Sequence, residues 1–193
     1  MSTLQKPEPR DAAKTRARIL EAAQVVFSER GYSQAGFREI AERAGVASSL
    51  IVKYFGAKAN LFDEALQAAF AEYPMHQEIK PQFGRLLVDS VLDPERKIVA
   101  PAMIALSLGD DEARAIAARV AREHIMGEVA EWLGPPEART RAMNILILSM
   151  GFAIFSRYLQ AEPSPEVRDA SATWIAETLQ ALVEQGDASR DQA

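Results

Sequence analysis

The residues best suited to a binding chemistry lie on one face of a short helical segment near residue 50. At helical spacing Ser49 and Lys53 point outward, with Val52 beside them. Ile51 and Phe55 share the opposite face at i,i+4 and would point inward. The outward face is small, polar and cationic, and it carries an apolar group for thymine methyls. Such a face fits the DNA major groove, which the helix would enter N-terminus first. This segment is therefore a candidate recognition helix.

Residue types that support catalysis or metal binding are scarce. The sequence has no cysteine, which excludes thiol nucleophiles, disulfides and thiolate metal sites, and its two histidines, His76 and His124, are far apart. It has no Gly-x-Ser-x-Gly elbow, phosphate loop, dinucleotide fingerprint or His-Glu-x-x-His. We therefore expect no enzyme activity, no catalytic residues, no metal and no cofactor.

The composition indicates a folded globular chain. Of its 193 residues, 48% are hydrophobic and 25% are charged. The longest nearly uncharged apolar stretch, Ala142–Ser156, is shorter than the roughly 18 residues that a membrane span needs. The N-terminal residues lack the apolar segment of a signal peptide. We therefore expect a cytoplasmic protein with no membrane partner.

The formal charge is distributed unevenly along the chain. Residues 1–58 contain ten Lys or Arg and six Asp or Glu, a net charge of +4, whereas residues 59–193 carry −9. A basic N-terminal part on an acidic body indicates that the N-terminal part meets a polyanion and the body does not. Ordinary solvated surfaces can show the same asymmetry.

Helical periodicity dominates the sequence, and we expect an all-α fold of about nine helices. Gly31 ends the first helix, and Gly45 supplies the left-handed residue that a sharp connection between the next two requires. Pro101 lies inside a helical pattern and is expected to kink it. The predicted N-terminal helices span residues 11–30, 37–44, 48–55 and 58–73.

Two helices near the C-terminus are more apolar than one small core requires. The segment 136–160 carries one apolar stripe through Met143 and Ile147 and a second through Ile145 and Phe152. A helix that is apolar on both sides is buried on both sides, so one side needs a cavity or a partner subunit. The final helix, 164–184, also has an apolar stripe.

A specific pattern of short motifs runs from residue 31 to residue 62. It consists of a glycine–aromatic pair, a helix start, an Ile-Ala pair, an Ala-Gly-Val turn, an aromatic pair and a lysine that opens the next helix. The motif residues are Gly31-Tyr32, Ala35-Gly36, Ile40-Ala41, Ala44-Gly45-Val46, Tyr54-Phe55 and Lys58. In this spacing the segment resembles the N-terminal domain of the TetR family of transcriptional regulators. The resemblance implies a three-helix helix-turn-helix DNA-binding head followed by a helical effector-binding and dimerisation body.

Three positions depart from the family pattern. The Thr or Ser that usually caps the second helix is replaced by Ala35-Gly36, which offers only backbone N–H groups to a phosphate. Val52 stands where an aromatic is often found, and Ala57 stands where a serine usually caps the fourth helix. These departures bear on the DNA sequence that is read.

The resemblance and the helix geometry together indicate the DNA contacts. Lys53 and Ser49 are the first candidates for base or phosphate contacts, and Tyr54 resembles a phosphate clamp of the family. The competing interpretations are a solubilising lysine, a core tyrosine and ordinary surface charges. The expected DNA-binding residues are Gly36, Arg38, Ser48, Ser49, Val52, Lys53, Tyr54 and Lys58.

By the same resemblance, a small-molecule effector would bind between the helices of residues 60–160. An apolar lining would favour a hydrophobic or amphipathic molecule. Ordinary core packing is the competing interpretation for every candidate. The expected effector-binding residues are Met103, Ser107, His124, Asn144 and Phe152, with Ser149, Phe83, Met126 and Trp132 as further candidates.

A homodimer is expected to form through the doubly apolar helix and the last helix, in a four-helix interface. A twofold dimer would present two recognition helices to a near-palindromic double-stranded DNA operator. A single thick monomer core is the alternative. The expected interface residues are Phe155, Trp174, Thr178 and Leu182.

Together these features predict a ligand-responsive DNA-binding regulator, a repressor that its effector releases from the operator. The alternative is a helical ligand-binding or adaptor protein whose head no longer reads DNA, which the Ala35-Gly36 departure supports. The expected organisation is a flexible tail (1–10), a helix-turn-helix domain (11–58) with a connecting helix (58–73), a ligand-binding and dimerisation domain (59–186) and a frayed tail (187–193).

Overall fold

The computed structural model describes residues 9–71 and 77–185, and all regular elements within these ranges are helical. The predicted tails lie outside the described residues, apart from the start of the first helix. Helices α7 and α8 are joined by a π-helical turn and form one continuous rod. Counted in this way, the described residues form nine helices, which confirms the all-α prediction. The helices are α1 (Pro9–Gln34), α2 (Phe37–Ala44), α3 (Ser48–Phe55), α4 (Lys58–Ala71), α5 (Phe83–Leu92), α6 (Ala100–Ser107), α7 (Asp111–Val120), α8 (Met126–Leu133), α9 (Ala138–Ala153) and α10 (Pro165–Glu184).

The turn between α2 and α3 has the predicted geometry. Gly45 adopts the left-handed conformation, with φ 63° and ψ 41°. Its backbone N–H and that of Val46 donate to carbonyls in the last turn of α2, the Val46 bond reaching Ala41 at 2.9 Å. A side chain with a Cβ would strain this conformation, so glycine fixes the crossing of the two helices.

Helix α1 is interrupted where the sequence predicts its end. Gly31 has φ 73° and ψ 169°, so the residues after it start a new turn in a different direction. A Cβ at Gly31 would lie only 3.3 Å from Leu106 Cβ on α6. Glycine is therefore favoured here for two reasons: the backbone has a positive φ, and α1 approaches α6 closely.

The end of α1 is joined to the start of α7 by polar side chains. The Tyr32 hydroxyl donates to the Glu112 carboxylate, and the Ser33 hydroxyl donates to Asp110 at 2.8 Å. Asp110 also caps α7 by accepting from the backbone N–H of Ala113 at 3.0 Å. The bond from Ala113, and then that from Ser33, hold the pKa of Asp110 below its usual value. The carboxylate therefore stays ionised at neutral pH in this double role.

Pro101 begins a helix instead of kinking one, so the prediction of a kink was wrong. Helix α6 starts at Ala100 and places Pro101 in its first turn. In the first turn the missing N–H of proline has no intrahelical acceptor to lose, and its fixed φ suits the helix. The apolar pattern before Ala100 misled the prediction because it belongs to a non-helical segment in which Ile98 is buried.

Helix α9 lies within the segment 136–160 that the sequence predicted as a helix apolar on both sides. With the π-helical turn Ile154–Leu159 it forms one predominantly apolar helix of 22 residues, Ala138–Leu159. By length and composition alone this helix is sufficient to cross a membrane, so the expectation that the stretch is too short was wrong. In the structure α9 packs against α8 and α10. Arg141 near its start is buried and donates to backbone carbonyls, including that of Leu182 on α10 at 3.0 Å.

Helices α5 and α10 cross at a glycine. A Cβ on Gly84 would overlap the carbonyl group of Ala176 and lie 2.9 Å from the backbone nitrogen of Gln180. Both of these obstacles are backbone atoms, which cannot move aside as a flexible side chain would. The Gly84 N–H also donates to Gln180 Oε1 at 3.2 Å. The crossing therefore depends on the absence of a side chain at this position.

Replacing Gly84 with alanine is expected to destabilise the protein by about 2–4 kcal/mol, because the added methyl must push two packed helices apart. The measurement is urea-induced unfolding at fixed protein concentration. Gly127→Ala is the matched control, since Gly127 lies in α8 and an added Cβ would have no neighbouring atom within 4 Å. This control is expected to gain up to about 1 kcal/mol from helix propensity. Equal effects of the two substitutions would contradict the close crossing.

Candidate nucleic-acid interface and ligand cavity

Helix α3 presents its predicted outward face to solvent. Ile51 and Phe55 are buried in the core, which fixes the rotation of the helix about its axis. As a result Val52 is 51% exposed and Lys53 is exposed as well. The first turn adds Ser48 and Ser49, both of which are exposed. One short helix therefore offers two hydroxyls, an apolar side chain and an ammonium on a single free surface.

The cations of the N-terminal helices fall into two groups. Arg16, Arg30 and Arg43 each form an ion pair within the protein, with Glu64, Glu39 and Glu29 respectively. Among the side chains that the structure describes up to Lys58, three cations have neither an acidic partner within 4 Å nor a hydrogen bond. These three are Lys14, Arg38 and Lys53. Two of them are predicted DNA contacts, so charge available for phosphate groups remains on the expected surface.

Gly36 and Tyr54 flank this surface. Gly36 is the N-cap of α2 and contributes no side-chain hydrogen bond, as expected from the loss of the usual hydroxyl. Tyr54 is half-buried, packs on the core and meets the Phe55 ring edge-on at 6.4 Å between centroids. Among the residues that the structure describes, its hydroxyl has no hydrogen-bond partner. The ring thus has a packing role, while the hydroxyl can still act as a donor.

Lys58 is placed differently from the other predicted contacts. Its ammonium donates to the carbonyl of Tyr32 at 2.9 Å and to that of Ala35 at 3.4 Å. It also lies 4.4 Å from the centre of the Tyr32 ring. Carbonyls that follow the end of a helix lack intrahelical donors, so a cation there is stabilised. Lys58 was expected to bind a phosphate. In the structure its ammonium instead binds carbonyls at the end of α1.

A cavity of about 730 Å³ lies in the body of the protein. It is lined by α4, the segment before α5, α5 itself, the segment before α6 with the first turn of α6, the α7–α8 rod and α9. Most of the lining side chains are apolar. This volume lies within the range of about 300–1,000 Å³ that small-molecule sites occupy. The polar and charged residues of the lining are Gln67, Ser90, Arg96, Glu128 and Ser149.

The cavity is not formed by the effector-binding residues that the sequence predicted. Met103 is buried in the main core, and Ser107 is buried with its hydroxyl donating to the Ile104 carbonyl at 2.7 Å. Asn144 is exposed, and Phe152 packs against the core without lining the cavity. The side chain of His124 lies outside the described part of the chain.

Helical periodicity did not identify the cavity-lining residues, because it predicts only that a helix face is buried. It does not show whether that face contacts the core or a cavity. Of the four further candidates, Ser149 and Phe83 line the cavity, whereas Met126 and Trp132 do not. Sequence reasoning missed the other polar and charged residues of the lining, Gln67, Ser90, Arg96 and Glu128. For Ser90 a signal was present, because it is the polar member of the apolar face that Phe83 and Leu87 form on α5.

A second apolar surface faces outward on α9 and α10. Of the twelve large hydrophobic side chains that are exposed among the described residues, seven lie between Met143 and Trp174. Phe155 and Trp174, both predicted for a dimer interface, are 61% and 57% exposed. Thr178 is half-buried and bonds the Trp174 carbonyl at 2.7 Å, and Leu182 packs partly against the core. The exposed stripe is therefore centred nearer the middle of α10 than its end.

The fold and these two surfaces define a class of protein: a helix-turn-helix protein whose body encloses a ligand-sized cavity. Comparison with known families agrees with this class. Residues 19–65 match the bacterial regulatory proteins of the tetR family, and residues 82–183 match the tetracyclin repressor-like C-terminal domain. The chain belongs to the tetR family of bacterial regulatory proteins. Its matches are transcriptional regulators, which confirms the prediction that the chain is not an enzyme.

Individual relatives match parts of the chain. The HTH-type transcriptional activator FasR of Mycolicibacterium smegmatis is 44% identical over 59 residues, which cover 31% of this chain and 26% of FasR. The HTH-type transcriptional regulator SrpR of Pseudomonas putida is 30% identical over 111 residues, covering 52% of this chain and 50% of SrpR. The chain thus spans about a quarter to a half of these relatives.

The whole fold is shared with solved structures. A TetR-family regulator from Rhodococcus sp. superposes with a TM-score of 0.65 at 16% sequence identity, covering 89% of this chain and 99% of that protein. At this identity the likeness shows the fold alone. It extends the resemblance from the N-terminal helices to the helical body.

Lys58→Met is expected to lower the free energy of unfolding by about 1–2 kcal/mol, because the substitution leaves two carbonyls without their charged donor. Lys53→Met is the matched control and is expected to change stability by less than about 0.5 kcal/mol, since Lys53 is exposed and unpaired. Urea unfolding of both variants at one protein concentration measures the difference. If the two variants were equally stable, the inward contacts of Lys58 would be incidental.

Proposed function

We propose that the protein is a transcriptional repressor that binds a near-palindromic DNA operator as a homodimer and is released by a small effector. The observation that carries the DNA-binding part is the exposed face of α3, in which Ser49, Val52 and Lys53 stand free while Ile51 and Phe55 anchor the helix. A helix anchored on one side and free on the other can enter the major groove without refolding.

The unpaired cations complete the proposed interface. Arg38 on α2 and Lys53 on α3 would meet phosphates or base edges, and the backbone N–H groups at Gly36 would face a flanking phosphate. Ser48 and Tyr54 would add hydrogen bonds to the same strand backbone. Lys58 would contribute indirectly, by holding the end of α1 against the start of α4.

The effector part of the proposal is supported by the cavity and by its position. Helix α4 begins in the helix-turn-helix part at Lys58, and its second half lines the cavity with Gln67 and Phe70. The same helix is tied to α7 by the ion pair between Asp63 and Arg119. A ligand in the cavity therefore contacts a helix whose other end positions α3. A ligand that favours one position of α4 would shift the population of DNA-competent conformations.

The dimer part is supported by the apolar surface of α9 and α10. Met143 and Ile147 on α9 and Val167 and Trp174 on α10 are all about half exposed. Their spacing of four residues on α9 and seven on α10 places each pair along one helix face. Pairing these faces with their symmetry mates would bury them in a four-helix interface. A twofold axis there would set the distance between two copies of α3.

We further propose that residues 11–58 form the DNA-reading part and residues 59–186 the effector-binding and dimerising part, with the helix at 58–73 joining them. The matches to an N-terminal and a C-terminal family domain support this division. The cytoplasm is the proposed site of action, since it is where bacterial operator DNA lies.

The DNA-binding proposal is tested by selecting duplexes from a random pool with the full chain and retesting them from about 50 to 200 mM salt. We expect an inverted repeat whose affinity falls with salt. Lys53→Ala is expected to reduce affinity about tenfold and to lower the salt slope by about one. Arg85→Ala is the control, because it removes one charge from an exposed site on α5 that pairs with Asp89, far along the chain from α3.

Two results would contradict this proposal. Equal losses from Lys53→Ala and Arg85→Ala would mean that the effect is net charge and not a contact on α3. Failure of the folded protein to enrich any sequence would favour the adaptor alternative, in which the head does not read DNA. The sign of regulation follows from in vitro transcription on the selected operator, where a repressor lowers the transcript yield.

The dimer proposal is tested by sedimentation velocity. The protein is expected to sediment as a dimer, and Ile147→Asp and Trp174→Asp are expected to convert it to a monomer by burying an unpaired charge in the interface. Leu108→Asp is the matched control, since Leu108 is 60% exposed in the turn after α6, outside the α9 and α10 surface. A dimer that survives both interface substitutions would place the interface elsewhere.

A further inference from the structure

Ser90 differs from the other helical hydroxyl residues of this protein. Ser149 and Ser107 donate to carbonyls of their own helices, Ser149 to Ile145 at 2.6 Å. Thr173 and Thr178 do the same. This bond to the preceding turn is the usual way in which a helical hydroxyl is satisfied away from water. Among the described residues, Ser90 Oγ is the one buried side-chain polar atom with no hydrogen-bond partner.

An unsatisfied buried hydroxyl is costly, so its position matters. Ser90 lies on the face of α5 that lines the cavity, between Leu87 and Val91, which also line it. An alanine there would complete an apolar wall without leaving a polar atom unpaired. The cavity wall thus contains a hydroxyl that forms no hydrogen bond with any other group of the described chain. A rotation about one bond, Cα–Cβ, is sufficient to redirect that hydroxyl.

The unpaired proton of the hydroxyl indicates which partner Ser90 would take. Ser149 is already satisfied by its own helix, and Gln67 Nε2 donates to Asp63 at 2.7 Å. The charged side chains of Arg96 and Glu128 complete the polar lining, and no group of the described lining bonds Ser90 Oγ. A buried donor without an acceptor is costly and is rarer in proteins than an oxygen with a free lone pair. A carbonyl oxygen of the ligand accepts this proton without a donor of its own to leave unpaired.

We propose that Ser90 is the specificity contact of the effector cavity, and that the effector is a largely apolar molecule whose carbonyl oxygen accepts a hydrogen bond from the Ser90 hydroxyl. This inference rests on the proposed effector-binding function of the cavity. The apolar lining binds the body of the ligand by burial, and Ser90 distinguishes ligands that carry an acceptor from those of equal shape that lack one.

The test uses two probes of nearly equal shape, 2-acetylnaphthalene, which has a carbonyl, and 2-isopropenylnaphthalene, in which a methylene group replaces the carbonyl oxygen. Isothermal titration calorimetry on the full chain is expected to show a preference of about fivefold for the ketone, the value of one net hydrogen bond. In Ser90→Ala the preference is expected to disappear through weaker binding of the ketone. Ser149→Ala is the matched control and is expected to keep the preference, because the Ser149 hydroxyl is bonded within α9.

The outcomes separate this inference from the proposed function. Equal affinity of the wild type for both probes, or an unchanged preference in Ser90→Ala, would overturn the role of Ser90 while leaving the cavity as a binding site. Failure of both probes to bind would overturn both the ligand class and the effector-binding cavity, whereas DNA binding is measured independently. Ser90→Ala is expected to unfold at the same urea concentration as the wild type or higher, since it loses no hydrogen bond. A lost preference therefore cannot come from misfolding.

Discussion

The arrangement of the whole molecule depends on the burial of one tyrosine between two groups of helices. The Tyr32 ring stacks with Phe27 of α1 and meets Phe62 of α4 edge-on, at 6.1 and 5.3 Å between centroids. Its hydroxyl donates to Glu112 at the start of α7, and its carbonyl accepts from Lys58. Burial, and then the Glu112 carboxylate, raise the pKa of the Tyr32 hydroxyl, so it remains a protonated donor. A single residue thereby fixes α1, α4 and α7 relative to one another.

The contacts around Tyr32 also tie the helix-turn-helix part to the body. Gly31 allows the chain to turn into Tyr32 while leaving room for Leu106 of α6. Helix α1 packs on α2 and α4 and also on α6. The same helix therefore contacts both the helix-turn-helix part and the body of the protein. A displacement of α6 or α7 must therefore move the end of α1. Among the described residues, packed side chains therefore connect the body to the reading surface.

Local signals in the sequence determined most of the fold and the reading surface, but not the cavity. Gly45, the buried pair Ile51 and Phe55, and the bounds of α2 and α3 follow from turn chemistry and spacing within a few residues. The cavity is the space that several segments, distant from one another in the sequence, leave between them. The periodicity of one helix contains no information on such a space. Met103 and Ser90 show the difference, since both lie on apolar faces and only Ser90 lines the cavity.

Helix α9 joins the two proposed functions of the body in one element. Its inner face lines the cavity with Ile145 and Ser149, and its outer face exposes Met143 and Ile147. Near its start Arg141 donates to two carbonyls of α10, so the two outward helices are tied together at that end. A ligand that presses on the inner face of α9 would therefore displace the dimer surface as well as α4. Because α9 separates the cavity from the proposed interface and α4 separates it from α3, a small shift there would alter the spacing of the two recognition helices of the proposed dimer by both routes.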